Sequence, residues 1–479
     1  MLSKGSALDR YFRISERGSS PAAEVRGGLA TFFAMSYIVV LAPLILGTVP
    51  DGTGHVLGVP QVAAVTALVA GVMTVVMGVW SKHPFALASG LGVNAFVAVT
   101  IASHKSLSWP DIMGIVVLAG LTMMLLVLTG FRTAVFNAVP ESLKTAIVVG
   151  IGMFIALIGL VNAGFVRRIP DKAGTTVPVG LGFDGVLIGW PTLTFVFGLL
   201  LTIALVVRRV KGAILIGVVA TTVFAVVIEA IAPSGSSAKN PAGWSLVVPA
   251  LPDQVFSAPD LSLIGKVSLF GSFQDIGVVS ALLLSFSILL SIFFDAMGTM
   301  VGVASQAGLV KEDGSIENVN RVLLVDAAAA VAGGGASASS NQIFVESAAG
   351  VGEGARTGLS SVVTGALFLV AMFFTPLVSI VPFEAVAPAL VVVGFMMVSQ
   401  VTRIDWTDMG LAIPAFVTIT LMPFTYSIAN GLGTGFVTFV FIRAVQGRGR
   451  EVHPIMWAVA IAFVVFFGIG PIEQLVGLR

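Results

Sequence analysis

Apolar segments of about 20 residues, the length that crosses a bilayer as a helix, recur along almost the whole chain. They fall near 27–48, 61–80, 84–104, 111–131, 143–162, 191–208 and 212–232. A second set lies near 277–302, 319–334, 336–353, 357–381, 384–402, 408–425 and 428–446. The polar stretch 233–275 separates the two sets, and its end, Ser257 to Phe273, has the pattern of a surface helix. A further apolar segment, Ile455 to Ile469, could span, lie half-embedded or pack against the bundle. Residues 1–26 are polar and basic and predict a lead-in, with an interfacial helix through Leu8, Tyr11, Phe12 and Ile14. The expected fold is an all-α polytopic membrane protein with 14 transmembrane spans.

Seven is odd, so the second block of seven enters the membrane upside down relative to the first. Such inverted repeats mark secondary transporters, whose sites lie at the midplane on interrupted helices. The third and tenth segments support this 7+7 reading. Phe85 to Asn94 laid over Ile343 to Gly352 matches Ser89 with Ser347, Gly92 with Gly350 and Val93 with Val351.

The tenth segment is also where the apolar pattern fails. From Gly333 to Gly350 the chain is rich in glycine, hydroxyls and amides, and it carries one acid, Glu346. Unpaired backbone inside a bilayer costs several kcal/mol, so such chain survives only within protein or along a wet cavity. A carboxylate at that depth costs roughly 2.5–3.5 kcal/mol and usually marks a substrate or ion path. If each break is extended, two helix amino termini face each other and favour electron-rich ligand atoms. Glu346 offers two acceptor oxygens for N–H groups of a planar ligand; the other reading is a carboxylate neutralised by a cap or a loop base. Ser339, Asn341, Phe344 and Ser347 are the neighbouring candidates for contact, with Ser337, Ser340 and Gln342 as further donors and acceptors.

Three more polar positions lie inside apolar segments. Asp295 is near the middle of the eighth, where it either serves the site or joins helices. Asp326 in the ninth is equally a packing group or part of a proton path. Asn94 in the third belongs to the site or simply bonds a neighbouring helix. Tyr37 and Phe294 are placed to stack on a flat ligand or to pack, while Met396 and Met397 read as packing or lipid-facing.

Composition narrows the choice. Of 479 residues 57% are hydrophobic and 10% charged, where a soluble protein carries roughly a quarter charged. There is no cysteine, which excludes disulfides, thiolate metal sites and cysteine nucleophiles. Four scattered histidines make no metal cluster. No phosphate-binding Gly-x4-Gly-Lys loop, nucleophile elbow or zinc-protease pair occurs, so neither an ATP motor nor an enzyme is expected, and no cofactor. The net charge of +1 is spread over short loops, which predicts no nucleic-acid partner. Basic residues fall in alternate loops: Lys82, Arg132 and Lys144, Arg208 to Lys211, Lys311 and Arg321, Arg356, Arg403, and Arg443 to Arg450. The positive-inside rule then puts the amino terminus in the cytoplasm of a cell (inner or plasma) membrane.

The motifs resemble a known family. Leu8-Asp-Arg-Tyr-Phe-Arg-Ile, Glu24 to Ile38, Gly90-Leu-Gly-Val-Asn-Ala-Phe, Phe294-Asp-Ala-Met-Gly-Thr and Val345-Glu-Ser-Ala-Ala-Gly-Val-Gly-Glu-Gly are similar to AzgA-like purine permeases of the nucleobase–ascorbate transporter superfamily. The resemblance implies a core domain (spans 1–4 at 27–131 and 8–11 at 276–381) and a gate domain (spans 5–7 at 140–232 and 12–14 at 384–446). An extracellular loop at 233–275 and a C-terminal segment at 447–479 complete the expected division. Spans 3 and 10 are expected as half-helices that begin with short strands, and the core is expected to slide against the gate as an elevator in a homodimer. Carried over by position, Glu346 matches the substrate-binding acid and Asp295 the acidic position of the eighth span. The implied activity is proton-driven uptake of adenine, guanine or hypoxanthine, with Asp295, Glu346 and Asp326 as the candidate proton carriers. A threonine-rich run of the family is replaced here by Gly334 to Gln342, which leaves the preferred base open. The alternative is a sulfate- or bicarbonate-like anion transporter or channel of the same 7+7 fold, in which a carboxylate such as Glu346 would repel the ligand.

Overall fold

The computed structural model describes residues 7–468 except 105, 131–137, 169–178, 183–184, 211, 238, 241, 246, 252–253, 310–315 and 379. At some helix positions, Phe294 and Asp295 among them, only the backbone is described. Arg132, Lys211, Lys311 and Ile469, which entered the sequence reading, lie outside the described residues.

Each apolar segment becomes a helix or a strand followed by a helix. The lead-in is α1 (Ala7–Phe12), and the first segment is α2 (Pro21–Met35) and α3 (Ile38–Leu46). Next come α4 (Val59–Val76), ending in a π turn at Met77–Ser81, then β1 (Leu87–Ser89), α5 (Leu91–Ser103) and α6 (Trp109–Leu128). The following helices are α7 (Glu141–Asn162), α8 (Trp190–Val207) and α9 (Ala213–Ile231); a small hairpin of β2 (Val166–Arg168) and β3 (Val179–Leu181) joins α7 to α8. After a short α10 (Gly271–Asp275) run α11 (Val278–Gln306), α12 (Val319–Gly335), β4 (Asn341–Ile343) and α13 (Ser347–Gly352). The last are α14 (Gly358–Ala371), α15 (Phe383–Val398), α16 (Met409–Phe424), α17 (Ile428–Val445) and α18 (Pro454–Phe467). Among the described residues, eight helical segments are long and apolar enough to cross a membrane, and shorter apolar helices accompany them.

Lipid tails are as apolar as leucine, so helices in a membrane associate through close packing at small residues. Glycines supply that closeness here. A Cβ on Gly71 of α4 would lie 2.9 Å from the Gly365 carbonyl of α14, and one on Gly365 would lie 2.5 Å from the Gly71 carbonyl. One turn pair further, Gly78 and Gly358 are pressed together in the same reciprocal way. Gly27 of α2 meets Gly350 of α13 likewise, at 2.9 and 2.6 Å. A separate pair, α7 and α15, crosses at Gly152 and Gly394, at 2.7 and 2.5 Å.

Buried charge fixes the end of this assembly. Glu24, wholly buried in the first turn of α2, accepts hydrogen bonds from the backbone N–H groups of Arg356, Thr357 and Ser360 at 2.8–3.3 Å. Those are free donors at the start of α14, where a carboxylate is favoured. The α1 segment is not simply interfacial: Phe12 and Ile14 are buried against Leu359, and Arg17 donates to the carbonyls of Lys82 and Arg356.

The surface helix expected over Ser257 to Phe273 does not form. Gly265, in the middle of the stretch, takes φ +78, which is not helical. The backbone instead bonds its neighbours: Ser257 N–H to Phe373 O, Gly265 N–H to Gly335 O and Ser268 N–H to Pro110 O, at 2.8–3.0 Å. Only α10 is helical in that stretch.

Candidate binding site at the paired strands

β1 and β4 pair antiparallel in the interior, with Leu87 opposite Ile343, Ala88 opposite Gln342 and Ser89 opposite Asn341. Gly90 N–H to Ser340 O and Phe344 N–H to Ala86 O extend the ladder at 2.9 Å each. This solves the problem posed by a break in the membrane, because each strand satisfies the other's backbone. Ala88 lies opposite Gln342 at the centre of the ladder, and the residue before the following helix is Gly90 in one segment and Glu346 in the other.

Side chains hold the remaining backbone groups. Thr74 Oγ1 donates to Leu87 O and accepts from Leu87 N–H, at 3.0 and 2.9 Å. Asp326 Oδ1 accepts from Ile343 N–H at 3.1 Å. Ser347 Oγ donates to Phe344 O and accepts from Ala86 N–H. Ser89 Oγ lies within bonding distance of Ala338 O and Asn94 Oδ1. Before β4, Ser337 and Ser339 take left-handed φ values of 57° and 59°, so the chain reverses out of α12 at non-glycine positions.

Glu346 occupies the cap position of α13 without capping it. Its Oε1 accepts a 2.7 Å hydrogen bond from the hydroxyl of Tyr37, a buried residue at the kink between α2 and α3. Glu346 lines a cavity of about 320 Å³. Tyr37, Gln342 and Phe344 share its wall with Leu91 and Gly92 of α5 and Thr299 and Val303 of α11. The α7–α15 pair lines it too, through Val148 and Ile155 and through Val393, Met396 and Met397. Gln400 and the exposed Arg403 also line it. Gln342 reaches in over Gly90, where a Cβ would lie 2.6 Å from its Nε2.

Of the residues singled out in the sequence, Glu346 and Phe344 line this cavity. Ser347, Asn94 and Asp326 are buried in the frame around the strands. Ser339 and Asn341 are fully buried and form no part of the cavity wall; their side-chain polar atoms have no hydrogen-bond partner among the described residues. The Asp295 side chain lies outside the described residues. Tyr37 meets the site by its hydroxyl. Met396 and Met397, read as packing or lipid-facing, form part of the wall. Gln400 carried no sequence signal and Arg403 only its charge in a loop, because the packing of α15 and the turn after it against α7 brings them there.

A strand pair among apolar helices, with an acid and a cavity beside it, is the arrangement in which membrane transporters place their sites. The chain belongs to the Permease family, whose model matches residues 22–434. It is 36% identical over 466 residues to guanine/hypoxanthine permease PbuG of Bacillus subtilis (strain 168), covering 96% of this chain and 99% of that protein. It is 34% identical over 466 residues to adenine permease AdeQ of Escherichia coli (strain K12), covering 96% of each. The fold is similar to the transmembrane domain of a cyanobacterium bicarbonate transporter, BicA, with a TM-score of 0.58 at 16% identity, covering 86% of this chain and 96% of that one.

Proposed function

We propose that the protein is a proton-coupled symporter that carries purine nucleobases (adenine, guanine or hypoxanthine) into the cell. The observation that carries this reading is Glu346, oriented by Tyr37 and lining a cavity between two helix layers. Guanine and hypoxanthine present N1–H to a carboxylate acceptor, with Phe344 beside the ring and the Gln342 amide as a second polar contact. Relatives named as guanine/hypoxanthine and adenine permeases support the substrate class.

In this reading the chain makes fourteen spans in two inverted sevens, with its amino terminus in the cytoplasm and its place in the cell membrane. Segments 27–131 and 276–381 form the core that carries Glu346, while 140–232 and 384–446 form the gate against which it slides as an elevator, in a homodimer. Arg403 is cytoplasmic in that orientation, so a cavity reaching Arg403 suits release to the inside. Glu346, Asp295 and Asp326 are the candidates for the coupling proton, and Asn94, Ser339, Asn341 and Ser347 act through the frame that holds the site.

The test is uptake of radiolabelled adenine, guanine and hypoxanthine into proteoliposomes, with and without an inward proton gradient. Gradient-stimulated purine uptake is expected, with severe loss in Glu346→Gln. Uptake of sulfate or bicarbonate in place of purines would favour the anion carrier instead. Near-normal purine uptake by Glu346→Gln would remove that residue from the binding role.

A further inference from the structure

Antiparallel pairing sets the start of β1 beside the end of β4, and on that side one side chain joins the two segments a second time. Arg17 lies in the turn before α2, with its side chain 8% exposed. Its Nη1 donates to the carbonyl of Lys82 at 2.6 Å and to that of Arg356 at 3.2 Å. Its Nη2 pairs with Glu317 Oε2 at 3.5 Å. Lys82 leads into β1, Arg356 follows α13, and Glu317 leads into α12. Those are the segments that build the site. The β1–α5 unit gives Leu91 and Gly92 to the cavity, β4 and α13 carry Gln342 and Glu346, and α12 supplies Asp326, which holds Ile343 N–H.

A guanidinium carries five N–H groups in a fixed fork, so one residue can hold two carbonyls and a carboxylate from one place. Lys82 takes φ +60 at the end of the π turn, a left-handed conformation that persists where the surroundings hold it. Residues 83–86 then run into β1 without a helix between, and Ser361 Oγ holds them through His83 O and Phe85 O at 2.9 Å each. On the other segment α13 has only six residues, about 9 Å of helix. Arg356 also donates to Val351 O, in the last turn of α13, at 2.7 Å. A shift of Arg356 is therefore carried to Glu346 through one short, stiff element.

We propose that Arg17 is a positioning residue for the binding site: by fixing the lead of β1 against the end of α13, it sets where Glu346 stands relative to the strand pair. The part of Glu346 as a ligand contact rests on the purine reading above. The tie between the two segments does not.

The test compares Arg17→Gln with Arg13→Gln in the purified full-length protein in nanodiscs. Arg13 pairs with the same Glu317 at 2.6 Å but donates to neither carbonyl, so it reports what loosening the lead-in alone does. Hydrogen exchange over 341–352, measured without ligand, is expected to quicken about tenfold in Arg17→Gln and to keep the wild-type rate in Arg13→Gln. Guanine is expected to bind Arg17→Gln about tenfold more weakly and Arg13→Gln as tightly as the wild type. Arg17→Lys, which keeps the charge and loses the fork, should fall between wild type and Arg17→Gln in both measurements. It takes the place of Arg17→Gln if that variant is not monodisperse. Wild-type exchange over 341–352 in Arg17→Gln, or equal quickening in both glutamine variants, would overturn the positioning role. Quicker exchange with unchanged guanine affinity would confine the tie to the frame and overturn its part in the site. Quicker exchange in Arg17→Gln alone, with no purine bound by the wild type, would uphold the tie at the strand pair and overturn the purine reading.

Discussion

Tyr37 and Glu346 are 309 positions apart, and the tyrosine hydroxyl donates to the carboxylate at 2.7 Å. The bond ties the kink between α2 and α3 to the start of α13, so the acid is aimed by a helix that no local pattern connects with it. Tyr37→Phe keeps the buried ring and removes the donor. A hydrogen bond to a charged group contributes about 1.5–3 kcal/mol, and each 1.4 kcal/mol is about tenfold in affinity. Guanine binding is expected to weaken about tenfold or more, with the melting temperature little changed. Unaltered affinity in a binding assay would show that Glu346 orients itself.

Gly90 gives the Gln342 amide its place in the cavity wall. A methyl group there meets the far end of a flexible side chain, so the amide moves and the backbone stays. Gly90→Ala should change the ratio of adenine to guanine uptake more than it changes thermal stability. Equal ratios for the two proteins would place Gln342 outside base recognition.

The Gly78–Gly358 contact tolerates no side chain, since a Cβ on either residue runs into the backbone of the other. Overpacking of this kind costs about 1–3 kcal/mol. Gly358→Ala is therefore expected to lower the melting temperature of the purified protein clearly. Gly335→Ala, where a Cβ would meet nothing within 4 Å, serves as the comparison and should melt as the wild type does.

Glu317, in the loop before α12, holds the lead-in through Arg13 at 2.6 Å and Arg17 at 3.5 Å. The hydrogen bond from Arg13 keeps its carboxyl below the usual carboxylate range. Because the folded value is depressed, the stabilisation is complete above the unfolded value of about 4.3 and is lost as pH falls through the folded one. Solvent screens this half-exposed pair, so the effect is small. Melting curves between about pH 3 and 6 should show a shallower acid slope for Glu317→Gln than for the wild type. Identical slopes would mean that other carboxylates govern the acid limit.

Much of this was legible in one dimension. The apolar segments gave the helices, because a chain in lipid must satisfy its backbone within each segment. The glycine- and hydroxyl-rich interruption around Glu346 stood out for the same reason. Periodicity could not tell which side chains of the interruption meet the cavity. Asn341 and Gln342 are adjacent and both polar, yet Gln342 reaches the cavity and Asn341 stays buried in the frame. The helix expected at Ser257 to Phe273 failed because its backbone donors found partners on Gly335, Phe373 and Pro110, contacts that a local pattern does not contain.

The sequence by itself determined that the chain is a membrane bundle with a polar break and a lone acid in its second half, since hydropathy and the cost of burying charge act residue by residue. Only the tertiary structure decided that the break is mended by a strand 254 positions away (Ala88 against Gln342), that Tyr37 aims the acid, and that α7 and α15 wall the cavity. Those are outcomes of packing between distant segments, where glycine contacts and shared hydrogen bonds select one arrangement among many that the same pattern of apolar and polar residues would allow.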